Sequence, residues 1–159
     1  MNITIVGATG NVGRKIIEIL EKKNFPVDNL NLVASSKSAG LKLRFKEKEI
    51  EVNNLETFDF SKGEITFFSA GGKISEKYAV KAAKYSTVID NSSYFRMDPD
   101  VPLIVPEVNP NDLKNHKKKN IIANANCSVI PLVVALKPLH DLYNIKRIVA
   151  STYQSVSGA

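Results

Sequence analysis

Short apolar runs alternate along this chain with stretches whose apolar residues recur every three or four positions. The first kind suits buried strands and the second amphipathic helices. NITIVG (2–7) reads as a strand, and NVGRKIIEILEKKN (11–24) as a helix on the spacing of Val12, Ile16, Ile17 and Leu20. NLNLVAS (29–35) predicts a second strand, and KLRFKEKEIEV (42–52) alternates like a short polar hairpin. EITFFSAGG (64–72) predicts a strand ending in a glycine pair. ISEKYAVKAAKY (74–85) follows as a helix capped by Ser75, with Tyr78, Val80, Ala82 and Ala83 as its apolar surface. STVIDNSS (86–93) is the next strand, the proline-containing stretch 97–110 an ordered loop, and NIIANANC (120–127) a further strand. CSVIPLVVALKPLHDLY (127–143) predicts a mostly buried helix, with Pro131 tolerated in its first turns and Pro138 a kink. IKRIVASTYQ (145–154) predicts a closing strand.

Strands alternating with helices specify an α/β fold, a doubly wound Rossmann-type, mostly parallel sheet. The length of 159 residues fits one domain. The chain stops on SVSGA just after a predicted strand. The expectation is that residues 1–159 form one dinucleotide-binding domain and that a second domain is missing.

Composition adds exclusions. With 43% hydrophobic and 24% charged residues the chain resembles ordinary globular proteins, and no apolar run could span a bilayer. The N-terminus lacks the features of a secretory signal, so a cytoplasmic protein is expected, with no membrane partner. A single cysteine permits neither an internal disulfide nor a thiolate zinc cluster, and no metal is expected. The net charge of +6 raises nucleic acid as a partner, but the lysines are scattered. The one tight cluster, KNHKKKN (114–120), has no aromatic residue for bases to stack on, and it reads as a solvated loop. The charge suits a phosphorylated ligand better.

GATGNVG places Gly7, Gly10 and Gly13 at the first strand–helix junction. Glycines allow a tight turn and close backbone approach, and the helix N-terminus offers free N–H groups to a pyrophosphate. Thr9, Gly10, Asn11 and Val12 are the residues expected nearest to it. Where an NAD site carries an acidic residue after the second strand, this chain has Ser35, Ser36, Lys37 and Ser38, which suits the 2′-phosphate of NADP. The other reading of SSKSAG is a polar turn that touches nothing.

Cys127 falls where a strand ends and a helix begins, on the edge where doubly wound sheets bind ligands. A helix N-terminus stabilises a thiolate, and a thiolate beside a nicotinamide can form a thioester that accepts hydride. A buried, inert cysteine is the other reading.

In order and along essentially the whole chain, GATGNVG, ASSKSAG, FSAGG, VIDNSSYFRMDPDVPLIVPEVN, NANCSVI, VVALKPLHD and STYQSVSGA resemble the N-terminal portion of bacterial aspartate-β-semialdehyde dehydrogenase. The resemblance implies that Cys127 is the acyl-thioester nucleophile, that Arg96 binds phosphate, and that Gln154 contacts substrate and orients the reacting centre. It places Ser157 and Gly158 against the nicotinamide of NADP. It further implies reduction of 4-phospho-L-aspartate to L-aspartate 4-semialdehyde, with release of phosphate, on the route to lysine, diaminopimelate, threonine and methionine. The full-length protein would be a homodimer or homotetramer, and the missing domain would supply catalytic and dimerisation residues, leaving this piece inactive alone.

From the residues alone, Arg96 could instead pair with Asp98 or Asp100, and Asn126 could orient the thioester carbonyl or cap the helix. The family motif Asn-Pro-Asn-Cys-Ser-Thr-Ile-Gln is altered here, with Ala125, Val129 and Pro131 replacing proline, threonine and glutamine. His116 lies in the lysine segment, and His140 lies about 20 Å beyond Cys127 along a helix, so neither suits a general base. Two alternatives stand beside this reading. One is N-acetyl-glutamyl-phosphate reductase, whose Gly-Cys-Tyr-Pro-Thr motif NCSVIP does not match; the other is a non-catalytic dinucleotide-binding regulator with Cys127 as packing.

Overall fold

The computed structural model describes residues 1–153. Its strands are β1 (Asn2–Val6), β2 (Asn29–Ala34), β3 (Lys42–Phe45), β4 (Lys48–Asn54), β5 (Ile65–Phe68), β6 (Thr87–Asp90), β7 (Leu103–Ile104) and β8 (Ile121–Asn124). They form one sheet in the order β3-β4-β2-β1-β5-β6-β8-β7. Every pairing is parallel except that of β3 with β4. The sheet thus winds outward in both directions from the junction of β1 and β5, as expected of a doubly wound fold.

The period of two along β1 distributes its side chains to two cores. Ile3 and Ile5 meet Ile17 and Leu20 of helix α1 (Asn11–Lys22) on one face, with Leu32 and Val52 from neighbouring strands. Val6 turns to the other face and joins Phe68, Val88 and Ile121 beneath Tyr78, Ala79 and Ala82 of helix α2 (Gly72–Ala82). Full burial of such a side chain contributes about 1.5–3 kcal/mol. The apolar runs of β1, β5 and β6 exist because both faces of these strands need cover.

The predicted hairpin forms, and its second strand also runs parallel to β2. Four readings need correction. Ser75 is not a cap: α2 starts at Gly72 with Gly71 as its N-cap, so Ser75 is buried inside the first turns. Val80 is 52% exposed, and Ala79 takes the inward place assigned to it. Helix α3 (Val129–Tyr143) has no buried residue, although its sequence is apolar enough to be read as core. Residues 145–153 form no strand. The last two share a cause, because among the described residues α3 lacks a second layer to bury it and 145–153 lack a neighbouring strand with which to form a ladder. The short β7 went unpredicted, since two residues within a proline-containing loop carry no period. The lysine segment winds as a 3-10 run over Pro110–Lys118 and stays largely exposed.

Candidate nucleotide and thiol site

The glycine turn lies at the carboxyl end of β1, the central parallel strand of the winding. Gly7 has φ +87, a conformation natural to glycine, and a Cβ there would lie 2.8 Å from the Ser69 carbonyl at the end of β5. A Cβ on Gly13 would lie 2.2 Å from the Gly7 oxygen, so the start of α1 packs directly on the turn. Gly10, the α1 N-cap, receives no side-chain cap. Gly10, Asn11 and Val12 are all exposed, which leaves the helix N-terminus open.

The second strand brings its own polar end beside this turn. Gly7 N donates to Val33 O at 2.8 Å, and Thr9 Oγ1 donates to Ser38 Oγ at 3.5 Å. Ser36, Lys37 and Ser38 form a 3-10 turn right after β2, with the Ser36 and Lys37 side chains exposed. The residues present fit a dinucleotide. An uncapped helix N-terminus meets a glycine turn too close-packed for side chains, with hydroxyls and an ammonium on the adjoining strand end. Val12 is 51% exposed at the mouth of the turn and does not join the core as its helical spacing suggests.

Two strands further along the same edge stands a second constellation. Arg96 follows β6 and reaches across to β8: Nε donates to Asn124 O at 2.9 Å and Nη2 to Asn91 O at 3.1 Å. The alternative pairing with Asp98 or Asp100 does not occur, because Lys119 and Lys118 hold those carboxylates. Asn124 Nδ2 donates to Asn91 Oδ1 at 2.7 Å, and Asn91 Nδ2 to Phe68 O at 3.2 Å, linking the ends of β8, β6 and β5. Cys127 follows Asn124 by three residues, and among the described residues its thiol is exposed and packs into neither core. Asn126 Oδ1 accepts from Ser128 N at 2.9 Å, and its carbonyl accepts from Val129 N and Ile130 N at 3.0 Å. Asn126 therefore closes the turn leading into α3, whose N-cap residue is Ser128.

A family profile described as the semialdehyde dehydrogenase NAD-binding domain matches residues 2–116. The chain belongs to the semialdehyde dehydrogenase family. The match covers the glycine turn, Ser36 to Ser38 and Arg96, and stops before Cys127. The aspartate-semialdehyde dehydrogenase of Aquifex aeolicus is 59% identical over 159 residues, which are 99% of this chain and 47% of that protein. That of Shewanella violacea is 52% identical over the same shares. The chain thus spans about half the length of the curated relatives it matches. A crystal structure of aspartate semialdehyde dehydrogenase II from Vibrio cholerae complexed with ASA matches with TM-score 0.86 and 51% identity, covering 88% of this chain and 46% of that one. The Candida albicans enzyme, solved with NADP, matches with TM-score 0.71 and 30% identity over 90% of this chain and 47% of its own.

This semialdehyde dehydrogenase domain brings the predicted residues to one edge of its sheet in two groups, the glycine turn with Ser36 to Ser38, and Arg96 with Asn126 and Cys127. Gln154, Ser157 and Gly158 lie outside the described residues. Sequence reasoning missed Ser75, Asp90, Asn91, Ser92 and Asn124. For Asp90, Asn91 and Ser92 the signal is the string DNSS, a carboxyl at a strand end with a serine two residues on, which favours a side-chain turn; Ser75 and Asn124 join them only through the fold. Among the described residues no helix is long and apolar enough to cross a membrane.

Proposed function

We propose that this protein is the NADP-binding, nucleophile-bearing part of a cytoplasmic aspartate-semialdehyde dehydrogenase acting on 4-phospho-L-aspartate. The observation that carries the reading is the exposed Cys127, placed just beyond a strand end whose carbonyl at Asn124 is gripped by Arg96. Identity of 59% to a named aspartate-semialdehyde dehydrogenase supports it.

The thiol, once deprotonated, attacks the acyl carbon. A carbon–sulfur bond forms, the bond to the phosphate oxygen breaks, and phosphate leaves. A guanidinium has five N–H donors, of which Arg96 spends two on carbonyls, so a planar fork remains for phosphate oxygens. Gly7, Thr9, Gly10, Asn11, Val12 and Gly13 would hold the pyrophosphate, and Ser36, Lys37 and Ser38 the 2′-phosphate. When bound, NADPH supplies the hydride that makes the reaction a reduction. Asn126 keeps Cys127 at the mouth of α3 by fixing the turn around it. Gln154 completes the substrate contacts and Ser157 with Gly158 the nicotinamide contacts in this reading, which takes the full-length protein to be a homodimer or homotetramer.

Fluorescence titration with NADPH and NADH tests the cofactor assignment. NADPH binds more tightly, and Lys37→Ala removes roughly tenfold of that preference, the worth of one charged hydrogen bond. Equal affinities would refute the 2′-phosphate site. In the intact protein Cys127→Ser abolishes reduction of the acyl phosphate while leaving NADPH binding in place; persistent turnover would exclude Cys127 as the nucleophile.

A further inference from the structure

The peptide group joining Asn91 to Ser92 is gripped at both ends. Its N–H donates to Asp90 Oδ1 at 3.0 Å, and its carbonyl accepts from Arg96 Nη2 at 3.1 Å. We infer that Asp90 is a positioning residue, which sets the Arg96 guanidinium for phosphate through this one peptide. The inference rests on the reading of Arg96 as a phosphate ligand.

Asp90 is fully buried, and its carboxyl is met on every side. Ser75 Oγ, from α2, donates to Oδ1 at 2.7 Å, and Ser92 Oγ donates to Oδ2 at 2.7 Å. A buried carboxyl is tolerated only where such donors replace water. This one ties a helix, a strand end and the loop carrying Arg96. Tyr94 N donates in turn to Ser92 Oγ at 3.2 Å, so the turn is held at successive points before Arg96. Hydrogen bonds in series polarise one another in a low dielectric. What Asp90 does at the N–H is therefore felt at the carbonyl that holds the guanidinium. The second anchor of Arg96 is the Asn124 carbonyl, and the amide pair Asn124–Asn91 closes the ring. Asp90 thereby fixes the spacing between the Arg96 fork and the strand end that leads to Cys127.

A purely structural carboxyl would weaken every ligand alike when removed, whereas a positioning one acts on phosphate. The test compares Asp90→Asn, Ser92→Ala and Ser75→Ala in the intact protein. It reads the inhibition constant of inorganic phosphate, the KM of the acyl phosphate and the KM of NADPH. Asp90→Asn raises the first two roughly tenfold and leaves the third unchanged. In an Arg96→Lys background the same substitution adds nothing, because the fork it positions is gone. Should Asp90→Asn fail to fold, Ser92→Ala and Ser75→Ala, which keep the carboxyl, show the same selective rise at smaller size. An unchanged phosphate constant in every folded variant, an equal loss for NADPH, or a full effect in the Arg96→Lys background overturns the inference. If the unmodified protein is insensitive to phosphate and Arg96→Lys changes nothing, the phosphate reading itself fails and takes this inference with it. Phosphate sensitivity that depends on Arg96 but not on Asp90 sinks the inference alone.

Discussion

Gly13 and Gly40 are both glycines beside the nucleotide edge, yet only one is held by its surroundings. A Cβ on Gly13 would lie 2.2 Å from a backbone oxygen, whereas one on Gly40 meets nothing within 4 Å, though Gly40 has φ +84. Gly13→Ala is expected to cost about 3 kcal/mol, by overpacking backbone against backbone, and to lose NADPH binding with it. Gly40→Ala costs roughly 1 kcal/mol, for the left-handed backbone alone. Urea denaturation separates the two. The spacing of Gly7, Gly10 and Gly13 was legible in the sequence, but which of them admits no side chain was not, since that depends on the Gly7 oxygen and on Ser69 across the sheet. Arg96 was legible only by resemblance. Its competing pairing with Asp98 fails because Lys119, remote in sequence, takes that carboxylate.

At the scale of elements the loop 97–110 and the basic 3-10 run are joined by charge. Lys119 Nζ donates to Asp98 Oδ2 at 2.7 Å, and this hydrogen bond holds the Asp98 carboxyl below the usual carboxylate range while raising the Lys119 ammonium. A depressed carboxyl stabilises the fold above its unfolded value, and that contribution is lost as pH falls through the folded one. The raised ammonium contributes below its own unfolded value and is lost only as strongly alkaline pH rises through the folded one. Asp98→Asn should therefore lower the melting temperature at neutral pH, with the gap to the unmodified protein closing under acid. A gap independent of pH in thermal melts would mean that the pair contributes nothing. The central strands were readable as short apolar runs and α1 by its helical spacing, whereas β7 is too short to carry a pattern and the apolar run over 145–153 forms no strand. Ser75 was misassigned because serine both caps helices and bonds buried carboxyls, and only the position of Asp90 in space decides between them.

For the whole molecule, the contrast lies between a sheet packed to zero exposure at Ile3, Ile5 and Ile121 and a helix α3 without one buried side chain. Apolar sequence made α3 look like core, and no pattern within it states that nothing among the described residues covers it. Ile121→Ala is expected to cost about 2–5 kcal/mol, while Leu142→Lys on α3, where Leu142 is 75% exposed, changes stability by less than about 0.5 kcal/mol. Chemical denaturation of residues 1–159 measures both. The same contrast divides the chain in time. Amide protons of β8 exchange with solvent only when the sheet as a whole opens, whereas those of α3 need no more than a local opening. A deuterium pulse should draw a step in protection between Asn124 and Val129, with the thiol of Cys127 standing on the riser.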